Sequence, residues 1–322
     1  MPAETIPDAN AIPVIDLGPY LAGEPGALDH AAAELRHALT EIGFYTIVNH
    51  GVPSTLVHEV YRQVARFHAQ PLGEKLKIKL DKHNVGYLPI MGDTLRTSVV
   101  AHVTKPNMSE AFFMARDLAP DHPDVVSGRR FRSANQWPKG LPGFREPLVE
   151  YCDALERLVQ RLVRVYARAL DLPATYFDGP FTDFQYKLRA THYPSQTKAP
   201  DDEFSIAPHT DTSFLTLLAP NDVPGLAFHT QTGDWIDFPL APFHTDHQLA
   251  ERRAIAASLH DRRAVGDDRL AHEGVGVAAN NDVDLGHSVC QVDIFAFGDR
   301  AGRWFSHTAM AQADDDVGTF RT

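Results

Sequence analysis

His209 and Asp211 lie two residues apart and form the pair in this sequence best suited to bind a metal ion. Residues at positions i and i+2 of an extended strand project from the same face, so this imidazole and carboxylate would lie a few ångströms apart. Two histidines and one carboxylate make the facial triad of iron(II) oxygenases, which leaves coordination positions open for reactants. The pair therefore predicts an iron site, provided that a second histidine reaches it from elsewhere in the chain.

The setting of this pair distinguishes it from two others with the same spacing. The chain has 17 histidines, and the pattern His-x-Asp also begins at His122 and at His244. His122 precedes Pro123, which favours a turn, and His244 lies in a polar stretch. The pair at His209 leads into an apolar, β-rich run, residues 214–218, which is typical of a buried strand. We therefore take His209 and Asp211 as the candidate site.

The composition is that of an ordinary globular protein and argues against several classes of function. Of 322 residues, 43% are hydrophobic and 22% are charged, which fits one large domain or two smaller ones. The net charge of −12 disfavours a nucleic-acid partner, because phosphate binding needs clustered Lys and Arg. We expect no signal peptide and no membrane span. With two cysteines there is no disulfide framework, and the expected location is the cytoplasm.

Hydrophobic periodicity divides the chain into an N-terminal part with helices and a later part with short strands. Helical spacing predicts helices from Leu28 to Ile42, after Ser54, and from about Pro147 to Leu170. Alternating or β-branched runs predict strands at 12–17, 44–48, 110–114, 185–192, 204–207, 213–218, 226–230, 234–238 and 289–297. Short strands at about ten-residue spacing predict a sandwich or jelly roll.

Five motifs occur in order along the chain: Ile12-Pro-Val-Ile-Asp-Leu17, Gly43-Phe-Tyr-Thr-Ile-Val-Asn-His-Gly-Val52, Leu188-Arg-Ala-Thr-His-Tyr-Pro194, His209-Thr-Asp-Thr-Ser-Phe-Leu-Thr-Leu-Leu218, and Gly225-Leu-Ala-Phe228 with Gly233-Asp-Trp-Ile-Asp237. Together they resemble the iron(II)- and 2-oxoglutarate-dependent dioxygenases of the isopenicillin-N-synthase-like family. The resemblance covers residues 12 to about 238. It implies a mainly β fold, in which helices flank a double-stranded β-helix (jelly roll) core.

The resemblance also implies a chemistry. Iron(II) would be bound by His209 and Asp211, with 2-oxoglutarate as co-substrate and O₂ and a small organic molecule as the other reactants. Tyr193 would donate its hydroxyl to a 2-oxoglutarate carboxylate, although the family often has Asn where this chain has Thr191. The expected reaction is a hydroxylation, desaturation or cyclisation that also yields succinate. Structural roles are expected for Arg189, His192 and the turn Asn49-His50-Gly51.

The motifs that the family has next are missing from the sequence after residue 239, including an Arg-x-Ser pattern. Under one account this part has diverged. His260 is then the third iron ligand, and Arg269 pairs with the distal carboxylate of 2-oxoglutarate, because a guanidinium binds a carboxylate bidentately. The other histidines left open as third ligand are His244, His247, His272 and His307. Under the second account this segment is foreign to the fold, and the protein is a catalytically dead β-helix protein.

These expectations divide the chain into four regions. Residues 1–120 form the N-terminal α/β region, and residues 121–180 form a linker and a scaffold helix. Residues 181–239 form the β-helix core with the metal strand. Residues 240–322 are an atypical C-terminal segment, divergent or foreign to the fold, which would leave the core incomplete at its C-terminal end.

Overall fold

The computed structural model describes most of the chain up to residue 194 and, beyond it, mainly β-strands. The described ranges are 12–94, 104–129, 132–194, 205–209, 213–219, 226–229, 235–237, 255–259, 276–279 and 287–295.

The described helices confirm the three helices that the sequence predicts. They are α1 (Gly18–Leu21), α2 (Ala27–Glu41), α3 (Ser54–His68), α4 (Leu72–Lys75), α5 (Pro123–Val126) and α6 (Arg145–Ala169), with a 3₁₀ turn at Leu76–Ile78. Helix α2 ends at a left-handed glycine: Gly43 has a φ of 83°, and its N–H donates to Ala38 O at 2.9 Å. Among these described helices there is no apolar segment of the length that a bilayer crossing requires.

The strands form two sheets in the described part of the chain. They are β1 (Val14–Asp16), β2 (Phe44–Val48), β3 (Gly86–Leu88), β4 (Glu110–Ala115), β5 (Gln185–Tyr193), β6 (Ile206–His209), β7 (Leu215–Ala219), β8 (Leu226–His229), β9 (Trp235–Asp237), β10 (Ile255–Leu259), β11 (Gly276–Ala279) and β12 (His287–Phe295). The large sheet has the order β1-β2-β10-β7-β12-β5-β4-β3, and the small sheet has the order β6-β11-β8-β9.

Helices cover one face of the large sheet, and the small sheet lies against the other. Helices α2 and α3 both pack on α6, and α3 also contacts β5. The buried core on this side includes a hydrogen bond of 2.6 Å between the hydroxyls of Tyr45 and Tyr166. On the opposite side, Tyr193 of the large sheet packs on Ile206 of the small sheet. This is the predicted β core with flanking helices.

The motif from His209 to Leu218, which the resemblance implies is the metal-binding strand, is divided between two strands. Strand β6 ends at His209 and β7 begins at Leu215, and the two strands belong to different sheets. The chain bends at Ser213 and Phe214 as it crosses between the sheets. The sequence predicts strands at 204–207 and 213–218, but because both strands are buried, it does not indicate that they lie in different sheets.

Three described strands come from residues 240–322, the segment whose relation to the fold the sequence leaves open. Strand β10 pairs with β2 and β7, β11 pairs with β6 and β8, and β12 pairs with β5 and β7. The sequence predicts β12 but neither β10 nor β11. This segment therefore contributes to both sheets.

Candidate metal centre

Strand β5 separates two environments because its side chains alternate between the faces of the sheet. Tyr186, Leu188 and Ala190 belong to the core shared with the helices, which we call the helix side. Tyr193 points the opposite way, toward the small sheet, and we call this face the inner side. Residues 185, 187, 189 and 191 share the inner side by alternation.

His209 ends β6 on the small sheet and is half-buried. Its Nδ1 lies 2.8 Å from the carbonyl oxygen of Ala207. A carbonyl can only accept a hydrogen bond, so Nδ1 carries the proton and the lone pair of the neutral ring is on Nε2. Metal-binding histidines have this arrangement, in which one ring N–H donates to a carbonyl and the other nitrogen binds the ion. The ring therefore fits a metal ligand.

A bulge in β6 determines where His209 points. Val277 pairs with His209 and Ala279 pairs with Ile206, so three steps along β6 match two along β11. Residues three apart on a regular strand lie on opposite faces, and one additional residue reverses that alternation. The bulge thus returns His209 to the face of Ile206, which packs on Tyr193. The sequence gives no sign of this bulge.

Tyr193 and its neighbours line the inner side of β5. Tyr193 and Thr191 are buried, and the guanidinium of Arg189 lies over the ring of Phe113, 5.6 Å from its centroid. The Nε of Arg189 is buried and has no hydrogen-bond partner among the described residues. The inner side therefore has a phenol beside the strand that carries His209 and a guanidinium farther along β5.

The remaining predicted site residues, Asp211, His260 and Arg269, lie outside the described residues, as do His244, His247, His272 and His307. Two of these positions adjoin described strands in the sequence. Residue 260 follows β10, which lies in the large sheet, whereas residue 272 is four positions before β11, the strand that pairs with β6.

A second group of titratable side chains lies on the helix side, and the sequence reasoning missed it. His68, Glu110 and His192 offer ligand atoms that all lie within 4.8 Å of one another. Lys75 and Tyr87 complete what we call the buried polar cluster. Its members come from α3, α4, β3, β4 and β5, and their separation along the chain follows no motif. Only the packing of α3 and α4 on the sheet brings them together.

Glu110 is the centre of the buried polar cluster. Its Oε1 accepts a hydrogen bond from His192 Nδ1 at 2.9 Å, and its Oε2 accepts from Lys75 Nζ at 2.6 Å and from the hydroxyl of Tyr87. Burial alone would raise the pKa of Glu110, but the surrounding donors outweigh burial and hold that pKa well below its usual value. Glu110 is therefore an ionised carboxylate paired with a buried ammonium.

His68 is oriented by the strand rather than by the carboxylate. Its Nε2 lies 3.1 Å from Ala190 O, so Nε2 is the protonated nitrogen of the neutral ring. Its Nδ1 is 3.4 Å from Glu110 Oε1 and makes no hydrogen bond to described residues. Burial lowers the pKa of His68, and Glu110 opposes this shift.

The two groups differ in their suitability for a cation. A dication in the buried polar cluster would lie close to the ammonium of Lys75 and would compete with it for Glu110, at a high cost in a buried environment. In the His209 ring, the hydrogen bond to Ala207 O keeps the proton on Nδ1, so the lone pair of the neutral ring is on Nε2. The His209 ring therefore suits iron(II) better than the buried polar cluster does.

Two family models match this chain. One describes the N-terminal region of a non-haem dioxygenase in morphine synthesis and matches residues 12–140. The other describes the 2OG-Fe(II) oxygenase superfamily and matches residues 184–256. A 2-oxoglutarate-Fe(II) type oxidoreductase of Emericella nidulans, hxnY, is 32% identical over 70% of this chain and 66% of its own length. The clavatol oxidase claD of Penicillium crustosum is 32% identical over 71% of this chain and 72% of its own.

The fold is also that of a solved oxygenase. A putative 2OG-Fe(II) oxygenase family protein from Caulobacter crescentus superposes with a TM-score of 0.73 over 95% of this chain and 99% of its own, at 18% identity. The chain therefore belongs to the superfamily of iron(II)- and 2-oxoglutarate-dependent oxygenases, with a double-stranded β-helix core. Iron(II) and 2-oxoglutarate are the cofactor and co-substrate of this family.

Proposed function

We propose that this chain oxidises a small organic molecule and that it binds iron(II) at the end of β6 through His209 and Asp211. The observation that supports this placement is the ring of His209, whose Nδ1–H is held by Ala207 O at 2.8 Å. The lone pair of the neutral ring is then on Nε2, the nitrogen that would bind the metal. The reaction is a hydroxylation, desaturation or cyclisation. The name of one relative, clavatol oxidase, supports a small organic substrate.

Each proposed site residue has a separate task. When bound, iron(II) with 2-oxoglutarate and O₂ supplies the oxidising power, and 2-oxoglutarate leaves as succinate and CO₂. His209 donates an imidazole lone pair, and Asp211 donates a carboxylate that partly neutralises the metal. Tyr193, buried on the inner side, donates its hydroxyl to a carboxylate of 2-oxoglutarate. Arg269 pairs with the distal carboxylate, because its planar fork matches that group.

The third ligand is a histidine that follows β10 in the sequence. His260 is the candidate from the sequence motif, since it follows strand β10 directly. Strand pairing supports His272 instead, because residue 272 leads into β11, and β11 lies beside β6 at His209. Alanine substitution of each histidine separates the two. The variant that lacks the true ligand should bind iron(II) more weakly, and the other variant should bind it as the parent does.

Anaerobic titration tests the proposed site. Addition of iron(II) and 2-oxoglutarate to the parent should give a weak visible charge-transfer band, and oxygen should then give succinate. His209→Ala and Asp211→Ala should lose both signals. A parent protein that gives neither signal would instead support a catalytically dead β-helix protein. If both variants match an active parent, the proposed ligands are wrong.

A further inference from the structure

A second contact of Ala207 ties a distant loop to the His209 ring. The side-chain Oδ1 of Asn107 accepts a hydrogen bond from the Ala207 N–H at 3.0 Å. The carbonyl of the same residue accepts from His209 Nδ1 at 2.8 Å. In an extended strand the N–H and C=O of one residue point toward the same neighbour. Asn107 and the His209 ring therefore bind adjacent groups along one edge of β6.

This edge of β6 would otherwise be the outer edge of the small sheet. In the described strands, β6 is the first in the order β6-β11-β8-β9. A strand at an edge has backbone donors and acceptors that no neighbouring strand satisfies. Asn107 supplies one acceptor and the His209 ring supplies one donor, so two side chains take the place of a strand at Ala207.

Asn107 is held firmly enough to act as a fixed support. Its side chain is buried, with only 3% of the residue exposed. Its own N–H donates to Asp93 O at 2.9 Å, and its carbonyl accepts from Met91 N–H at 3.1 Å. The loop at residues 91–93 thus fixes the backbone of Asn107, and the side chain transmits that position to Ala207.

We propose that Asn107 is a positioning residue for the metal ligand His209, acting through the backbone of Ala207. This inference rests on the proposed function, in which His209 binds iron(II). The bulge between Ile206 and His209 leaves this part of β6 without regular pairing to β11, so an anchor on the opposite edge is needed to fix the Ala207 carbonyl. Loss of the anchor frees the carbonyl to rotate, and the ring loses its single orientation and its single tautomer.

The test uses two variants that remove the acceptor and one that keeps it. Asn107→Leu preserves the volume, Asn107→Ala removes the side chain, and Asn107→Asp retains an oxygen for the Ala207 N–H. If one of the first two does not fold, the other still decides the question. Asn135→Ala is the matched control, because Asn135 Oδ1 likewise accepts from the N–H of Ala115 on β4 at 2.9 Å.

Two readouts are measured on the full chain. The first is the affinity for Mn(II), without turnover. The second is the ¹⁵N NMR signal of the His209 ring in the metal-free protein, which reports its tautomer. We expect Asn107→Leu and Asn107→Ala to bind Mn(II) about 10-fold more weakly or worse, as is usual when a group supporting a ligand is lost, and to show mixed tautomers. We expect Asn107→Asp and Asn135→Ala to match the parent.

Parental affinity and parental ring signals in Asn107→Leu and Asn107→Ala would overturn the inference. An equal loss in Asn135→Ala would also overturn it, since the effect would then be general destabilisation. His209→Ala distinguishes a failure of the proposed function from a failure of the inference about Asn107. If that variant binds Mn(II) as the parent does, the proposed function fails, and the ring signals alone then decide whether Asn107 orients His209.

Discussion

Two histidine-containing groups lie on opposite sides of β5, and they are built for different purposes. On the helix side, His192 and His68 face Glu110, whose carboxylate is paired with the ammonium of Lys75 at 2.6 Å. On the inner side, the small sheet carries His209 on the same face of β6 as Ile206, which packs on Tyr193, and the His209 ring donates to a backbone carbonyl. The first group satisfies its own charges, and the second presents a lone pair. The neighbours of a histidine, more than the presence of a carboxylate nearby, decide whether it suits a metal.

The largest expected effect is on iron(II) binding, when one histidine on each side of β5 is replaced by glutamine. His209→Gln should abolish binding of iron(II), because an uncharged amide is a poor replacement for an imidazole ligand. His192→Gln should leave iron(II) binding intact, since His192 contacts Glu110. Equilibrium dialysis under argon measures both. Loss of iron(II) from His192→Gln with retention in His209→Gln would reverse the assignment.

The next effect tests whether the buried polar cluster is structural. Lys75→Met removes the counterion of Glu110 while both side chains are buried, 7% and 5% exposed. We expect a loss of about 3–5 kcal/mol in the free energy of unfolding, because a buried charge is left without its partner. Urea denaturation measures it.

Lys77→Met is the matched control for that variant. Lys77 pairs with Glu74 at 2.6 Å, but their side chains are 67% and 50% exposed, so the loss should be below about 1 kcal/mol. Equal losses in Lys75→Met and Lys77→Met would contradict a structural role for the buried polar cluster.

Tyr193→Phe tests whether the Tyr193 hydroxyl on the inner side binds 2-oxoglutarate, and its expected effect is smaller. The variant keeps the ring that packs on Ile206 and removes the hydroxyl. A hydrogen bond to a charged group contributes about 1.5–3 kcal/mol, so the Kd for 2-oxoglutarate should rise about 10-fold or more, with iron(II) affinity unchanged. Isothermal titration under argon measures both constants. Tyr20→Phe, which loses a bond to Arg161 O, should change neither, and an unchanged Kd in Tyr193→Phe would remove Tyr193 from the site.

The smallest expected effect is the pH dependence of stability. Burial lowers the pKa of His68 in the folded state, so the unfolded chain binds the proton more readily. His68 therefore contributes stability that is present above its unfolded pKa of about 6.5 and is lost as the pH falls toward its folded pKa. Glu110, whose pKa is also lowered, loses its contribution only in a more acidic range.

Urea denaturation at pH 5, 6 and 7 measures this effect. His68→Gln should lose less stability between pH 7 and pH 5 than the parent does. His30→Gln is the control, because the side chain of His30 is 77% exposed, and it should follow the parent. A His68→Gln variant with the pH profile of the parent would show that His68 does not titrate across this range.

Sequence periodicity predicts the parts of the fold in which one residue pattern belongs to one element. The long helix α6 and strand β5 are of this kind, and both are confirmed. Between Ile206 and Ala219 the pattern predicts two strands but indicates neither the bulge in β6 nor the change of sheet. It also fails for β10 and β11, whose few residues lack a clear alternation.

The candidate site was predictable only in part, for a related reason. Local spacing predicts His209 and Asp211 as the ligand pair. The contact of Asn107 with Ala207 joins residues 100 positions apart, and Glu110 and His192 are 82 apart. Contacts of this kind arise when strands pair and loops pack, and no local motif encodes them.

The most direct test is the position of a bound metal ion. Crystals grown with Mn(II) and 2-oxoglutarate would give an anomalous diffraction peak at the metal. We predict a single strong peak beside Nε2 of His209, at the end of β6 and on the side of β5 that carries Tyr193. A peak between His68, Glu110 and His192, with none at His209, would contradict the assignment of the metal centre.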